Sequence, residues 1–287
     1  MRVPVLLRTI VTGVVVALVP ANVWPPVLFT LGVRWGSLVE IGFLSLFVWW
    51  ASGGGPPLTS QAVRKTYFRH VPGSPSQWAW GILAAVAFAV TVHAAIVLLF
   101  RFVPFPASAF REGYDLSFIP SRRWQWLAVV MSAASAGICE ETGFRGYLQQ
   151  PLEDRYGAPV AILVSSVAFM VLHLTKGWAL VGMTPIVLGA GGLLGLLAWS
   201  SGSLMFSMIG HIVMDIGLFG YWWTGIAGDF TARPITETGL DQLFIIALVG
   251  FSVALLVALV AMGRLRQGAN RSTSSRALRH RVGQQSL

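Results

Sequence analysis

The run LFIIALVGFSVALLVALVAM, Leu243 to Met262, is twenty residues long and carries neither a charge nor an alternation of apolar and polar side chains. A helix rises about 1.5 Å per residue, so such a run reaches about 30 Å, the apolar thickness of a bilayer. A transmembrane β-strand would alternate apolar and polar residues over about ten positions. The run therefore predicts a membrane-spanning helix and excludes a barrel.

Similar stretches precede it. Apolar runs at about 5–30, 36–51, 77–103, 124–149, 158–175, 179–199 and 203–223, with the last at about 240–263, predict eight spans. The composition agrees, since 55% of the 287 residues are hydrophobic and 11% charged, with a mean hydropathy of +0.70, against about 25% charged in a soluble domain. The expected fold is all-α, a polytopic bundle of about eight transmembrane helices with an intramembrane active-site cavity. It forms one domain over 1–263, with the core site helices at about 124–223 and a basic, unstructured tail over 264–287. Arg2 and Arg8 precede an apolar run as in a signal peptide, but without a small-residue cleavage site, so the run is retained as the first span. Ser52 to Ser60, with three glycines and two prolines, predicts a loop.

The net charge is +9, and six of the twenty basic residues lie in the tail, from Arg264 to Arg281. Basic residues flanking a span face the cytoplasm and its anionic lipids, so the tail is expected to anchor topology rather than bind nucleic acid. With both termini cytoplasmic, twelve basic residues fall inside and seven outside, among them Arg34, Arg101, Arg111, Arg122, Arg123, Lys176 and Arg233. The single cysteine, Cys139, excludes an intrachain disulfide and any paired-cysteine motif, and its apolar setting predicts an inert side chain.

An ionisable residue inside a span costs at least about 2.5 to 3.5 kcal/mol on insertion scales, which makes each a functional candidate. Three spans concentrate them: Glu140, Glu141 and Arg145, then His173, then His211 and Asp215. Residues four apart share a helix face. Glu141 is thus expected to pair with Arg145 as a supporting ion pair, which leaves Glu140 as the free carboxylate, and Asp215 is placed to orient His211. Glu140 lies fourteen residues before Asp154 and His173 fifteen after Ala158 in an antiparallel hairpin, so both sit roughly 20 Å from its turn. Asp215, twelve residues beyond Ser203, lies roughly 18 Å deep. All four groups can meet in one cavity. Elsewhere, Glu40 is expected to be protonated, paired with Arg34 or at the cavity wall, and His93 to hydrogen-bond a neighbouring helix. Gly191 and Gly195, four apart, predict close packing.

Glu140-Glu141-x-x-x-Arg145, Phe169-x-x-x-His173 and His211-x-x-x-Asp215, in this order and each in a hydrophobic helix, resemble the CPBP family of intramembrane proteases, which includes the CAAX prenyl endopeptidases and bacterial Abi proteins. The motifs occupy about 76 residues, Glu140 to Asp215, and the third ends in Asp215 where prenyl proteases usually carry Asn. The resemblance implies hydrolysis of a peptide bond in a membrane-associated protein or peptide. It assigns Glu140 and His173 to water activation, and His211 with Asp215 to oxyanion stabilisation or metal binding.

The residue types fit that chemistry, since peptide hydrolysis needs an activated water, an oxyanion site and a proton donor for the amine. Two histidines with carboxylates also suit zinc, with His173, His211 and one of Glu140 or Asp215 as ligands, although the His-Glu-x-x-His spacing is absent. No cofactor, or a divalent metal such as zinc, therefore stays open. Two non-protease functions share the same residues: a transporter or proton relay, and a membrane immunity or adaptor protein that does not use the site. The loop from Arg101 to Arg123, with four arginines, is expected to contact substrate or lipid headgroups.

Overall fold

A computed structural model describes residues 4–69, 74–112, 114–174, 182–231 and 233–285, without the side chains of 112 and 269–285. The described residues are 83% helical, and no strand occurs among them. In chain order the helices are α1 (Val5–Ala21), α2 (Trp24–Ala51), α3 (Gln61–Tyr67), α4 (Pro75–Leu99), α5 (Ala107–Glu112), α6 (Arg122–Glu141), α7 (Gln150–Tyr156), α8 (Ala158–His173), α9 (Thr184–Ser201), α10 (Leu204–Gly217), α11 (Ile235–Thr238) and α12 (Gln242–Gln285). Two π-helical segments interrupt the α pattern: Thr142–Gln149 joins α6 to α7, and Leu218–Trp223 extends α10.

The fold is an all-α polytopic membrane protein. Val5–Ala51, α4, α9, α10 with its π extension, and Gln242–Gly268 are each long and apolar enough to cross a bilayer, and α8 is a shorter apolar helix of 16 residues. The rod from α6 through α7 is less apolar because it carries the Glu140, Glu141 and Arg145 cluster. On α12, Ile245, Val249, Val253, Leu256 and Val260 follow the helical period and are all exposed, Leu256 by 63%. Apolar exposure on one continuous face is stable only against lipid.

The first predicted span is corrected. The apolar run continues to residue 30, but the helix stops at Ala21, where Asn22 Nδ2 donates to the Leu18 carbonyl at 2.7 Å. Pro25 and Pro26 then open α2, in the first turn where a missing N–H costs nothing. A further bend falls at Gly32, whose φ of 68° only glycine adopts readily. Hydropathy is continuous across both breaks, so periodicity does not reveal them. At the other end, the backbone of α12 stays helical to Gln285, through the stretch predicted as an unstructured tail.

Turn chemistry sets the hairpins around the site. Gly157, at φ 82°, separates α7 from α8, and Gly202, at φ 65°, ends α9 before Ser203 caps α10 through the Met205 N–H. Helices α6 and α10 cross at the centre, flanked by α1 and α2 on one side and by α4, α9 and α12 on the other. The approach of α1 is close: a Cβ on Gly143 would lie 2.4 Å from the Gly13 carbonyl oxygen.

Candidate active site

The centre of the site is a buried carboxylate. Glu141, fully enclosed, accepts from Arg145 Nη1 and from His211 Nδ1, both at 2.8 Å and both on Oε1. The guanidinium also donates to the Gly191 carbonyl of α9 at 3.0 Å and lies 4.7 Å from the Phe169 ring centroid. A cation and an anion enclosed together hold only when their remaining hydrogen-bonding groups are met, and the α9 carbonyl and the ring supply part of that.

Four residues beyond Arg145, Gln149 Nε2 repeats the contact one turn along, donating to the Gly195 carbonyl at 3.0 Å and to Glu153 Oε1 at 2.7 Å. Glu153 in turn accepts from Arg69 Nη2 at 2.9 Å. Positions 141, 145, 149 and 153 thus form a polar ladder along one side of the rod. The missing side chain of Gly195 lets the rod approach α9, since a Cβ there would sit 2.7 Å from Gln149 Oε1, whereas a Cβ on Gly191 would meet Ser166 of α8 at 3.2 Å.

Beside this ladder, Glu140, His173, His211 and Asp215 line one cavity of about 110 Å³, enough for several water molecules. Its remaining wall is apolar, with Val92, Ile96, Phe110, Ile186 and Trp223. Glu140 Oε2 is buried and meets no hydrogen-bond partner among the described residues. His173 Nδ1–H donates to the Phe169 carbonyl at 2.8 Å, which fixes the tautomer with the lone pair on Nε2. The Phe169 ring stacks against His173 at 4.4 Å and meets His211 edge-on at 5.9 Å, so one side chain separates and orients both imidazoles.

Two expectations are revised. His211 Nε2 stands 3.5 Å from Asp215 Oδ2, whereas the tighter bond on Nδ1 goes to Glu141. Glu141 from the crossing helix α6 and Asp215 from the next turn of α10 thus hold the two ring nitrogens of His211 together. Glu40 is buried but neither paired with Arg34 nor part of the cavity: its carboxyl oxygens meet no hydrogen-bond partner, and the Arg34 guanidinium lies over Trp35 at 5.2 Å. Among the described residues no group of three His, Cys, Asp or Glu side chains is placed to hold a metal ion.

Residues outside the motifs also shape the site. His93 Nε2–H donates to the Met214 carbonyl at 3.1 Å while Nδ1 accepts from Trp222 Nε1 at 3.1 Å. Since a carbonyl only accepts and an indole only donates, His93 is held as one neutral tautomer beneath the helix that carries Asp215. From the loop after α4, Phe110 reaches the cavity, but its arginines turn elsewhere: Arg101 pairs with Asp241 at 2.8 Å, Arg111 with Asp229 at 2.6 Å, and Arg122 donates to the Ile226 carbonyl. Lys176 lies outside the described residues.

Residues 122–217 match the model of the type II CAAX prenyl endopeptidase Rce1-like family, and the match spans the six motif residues from Glu140 to Asp215. That segment is similar to the CPBP/CAAX protease family. The family so described is one of prenyl endopeptidases. The matched segment is about a third of the chain, α6 to α10. No curated protein and no solved structure matches it.

Proposed function

We propose that this protein is an intramembrane endopeptidase that hydrolyses a peptide bond near the membrane-embedded or C-terminal end of its substrate with a water activated by Glu140 and His173, without a metal. The observation that carries this reading is the buried, unpartnered oxygen of Glu140 at the wall of a water-sized cavity shared with His173. Glu140 takes a proton from the water as its oxygen attacks the carbonyl carbon, and His173 Nε2 holds that water in line. The carbonyl π electrons move to oxygen, and the oxyanion is met by a proton on His211 Nε2, whose ring is clamped from behind by Glu141. Collapse of the tetrahedral intermediate breaks the C–N bond, and the proton on Glu140 passes to the leaving amine. The apolar wall at Val92, Ile96 and Phe110 favours a substrate whose side chains are hydrophobic.

The test is cleavage of a pool of hydrophobic C-terminal peptides by purified wild type, Glu140→Gln and His173→Ala, with and without chelator. Wild-type cleavage that survives chelation and disappears in both variants, with folding intact, is expected. Normal turnover by Glu140→Gln refutes the assignment, and loss with chelator followed by rescue with zinc refutes the metal-free route.

A further inference from the structure

A second polar cleft opens at the other end of the α6–α7 rod, remote from Trp223 and Phe110, and is lined by Lys65, Arg69, Gln150, Glu153, Asp154 and Arg266, with Trp199 beside them. Its cations come from separate elements: Lys65 from α3, Arg69 from just beyond it, and Arg266 from α12. Its two carboxylates are already engaged. Glu153 holds Arg69 and Gln149, and Asp154 accepts from Gln150 Nε2 at 3.2 Å. Among the described residues neither Lys65 nor Arg266 forms an ion pair.

Two features mark the cleft as built. The Arg266 guanidinium is stacked 4.2 Å from the Trp199 ring centroid, a pose that fixes a cation without neutralising it. Arg69 has a φ of 49°, in the left-handed region that a non-glycine residue occupies only when its surroundings hold it there. Its side chain is 5% exposed, and its Nε meets no partner. Trp199 close to the end of a spanning helix, with arginine over it, is the side-chain pair found at the level of lipid headgroups.

We propose that this cleft binds a phosphate group, held by Lys65, Arg69 and Arg266. Planar guanidinium groups present paired N–H donors that match phosphate oxygens, and lysine adds a point charge. The phosphate belongs either to an anionic phospholipid of the surrounding leaflet or to a free phosphate ion. The site is independent of the hydrolytic chemistry, so failure of one leaves the other standing.

Wild type, K65Q, R266Q and the double variant are reconstituted in nanodiscs of phosphatidylcholine with and without phosphatidylglycerol, and retained lipid and unfolding temperature are measured. Both substituted side chains lie outside the catalytic cavity. Phosphatidylglycerol is expected to raise the unfolding temperature of wild type. Its retention falls about fivefold for each cation removed, with phosphatidylcholine retention unchanged. A rise given instead by inorganic phosphate in lipid-free micelles, and lost in the same variants, supports the site with free phosphate as occupant. Equal retention of phosphatidylglycerol in wild type and the double variant, with no response to inorganic phosphate, overturns the proposal.

Discussion

Glu141→Gln removes one negative charge from between two cationic or proton-bearing partners. Glu141 Oε1 accepts from Arg145 and His211 at 2.8 Å each, and Arg145 has no side-chain exposure. Gln is nearly isosteric and keeps one acceptor oxygen, so one of the two bonds survives in a weaker, neutral form. The Arg145 charge is left enclosed with no anion beside it, met by neutral groups such as the Gly191 carbonyl and the Phe169 and Phe144 rings. Removing one partner of a buried pair costs about 3–5 kcal/mol, and the retained bond places this change near 3 kcal/mol. Arg145→Met should cost a similar amount, since it leaves the carboxylate uncompensated. The double variant replaces the pair with neutral groups, so it should be more stable than the sum of the single losses by about 2 kcal/mol or more. Unfolding by SDS titration in detergent micelles measures all four corners of the cycle. Losses that add to within about 0.5 kcal/mol would refute the account of Glu141 as the shared anion.

Other substitutions probe neighbouring contacts. Gly143→Ala drives a methyl group to within 2.4 Å of the Gly13 carbonyl oxygen, and should destabilise the α1 crossing by about 1–3 kcal/mol, read by the same titration. His93→Phe strips the Trp222 indole and the Met214 carbonyl of a partner at once. The expected cost is about 1–3 kcal/mol for each buried group left unmet, and an unfolding curve superposable on wild type would contradict it. The Asp241 carboxyl is held below its ordinary range, chiefly by the Phe244 backbone N–H and further by Arg101. A folded-state value that is depressed stabilises above the unfolded carboxylate value of about 3.9 and loses that stabilisation as pH falls through the folded value. Amide exchange at the start of α12 should therefore quicken in acid for wild type, whereas Asp241→Asn should exchange quickly at neutral pH and change little with acid.

The legible parts of this molecule are those with a local signature. Leu243 to Met262 announces its helix by length and apolarity, and Glu141 announces Arg145 by a spacing that any helical turn enforces. The pairing of Glu141 with His211 bridges 70 positions and two helices, and no spacing encodes it. Depth from the 1.5 Å rise placed four side chains at one level, but which carboxylate touches which imidazole depends on how α6 crosses α10. The break after Ala21 escaped because hydropathy does not change there, although Pro20, Pro25 and Pro26 stand in the sequence around it. Gln149 escaped because a glutamine in a span carries no charge to draw attention, and its bond to the Gly195 carbonyl bridges 46 positions that no spacing encodes.

The two π segments are the places where this protein can absorb a change in chain length. A π turn is an α turn that holds one extra residue, and Thr142–Gln149 stands between the half of the rod that faces the cavity and the half that grips α9 and Arg69. Deleting one residue there would close the bulge into plain α-helix and leave the rod continuous. Because the bulge is what absorbs the extra residue, Glu153 would keep its face toward Arg69, whereas the same deletion in the plain α-helix of α6 would rotate everything beyond it by about 100° about the helix axis. Substitutions along this stretch alter single contacts, and the bulge confines a change in residue count to the turn that holds it.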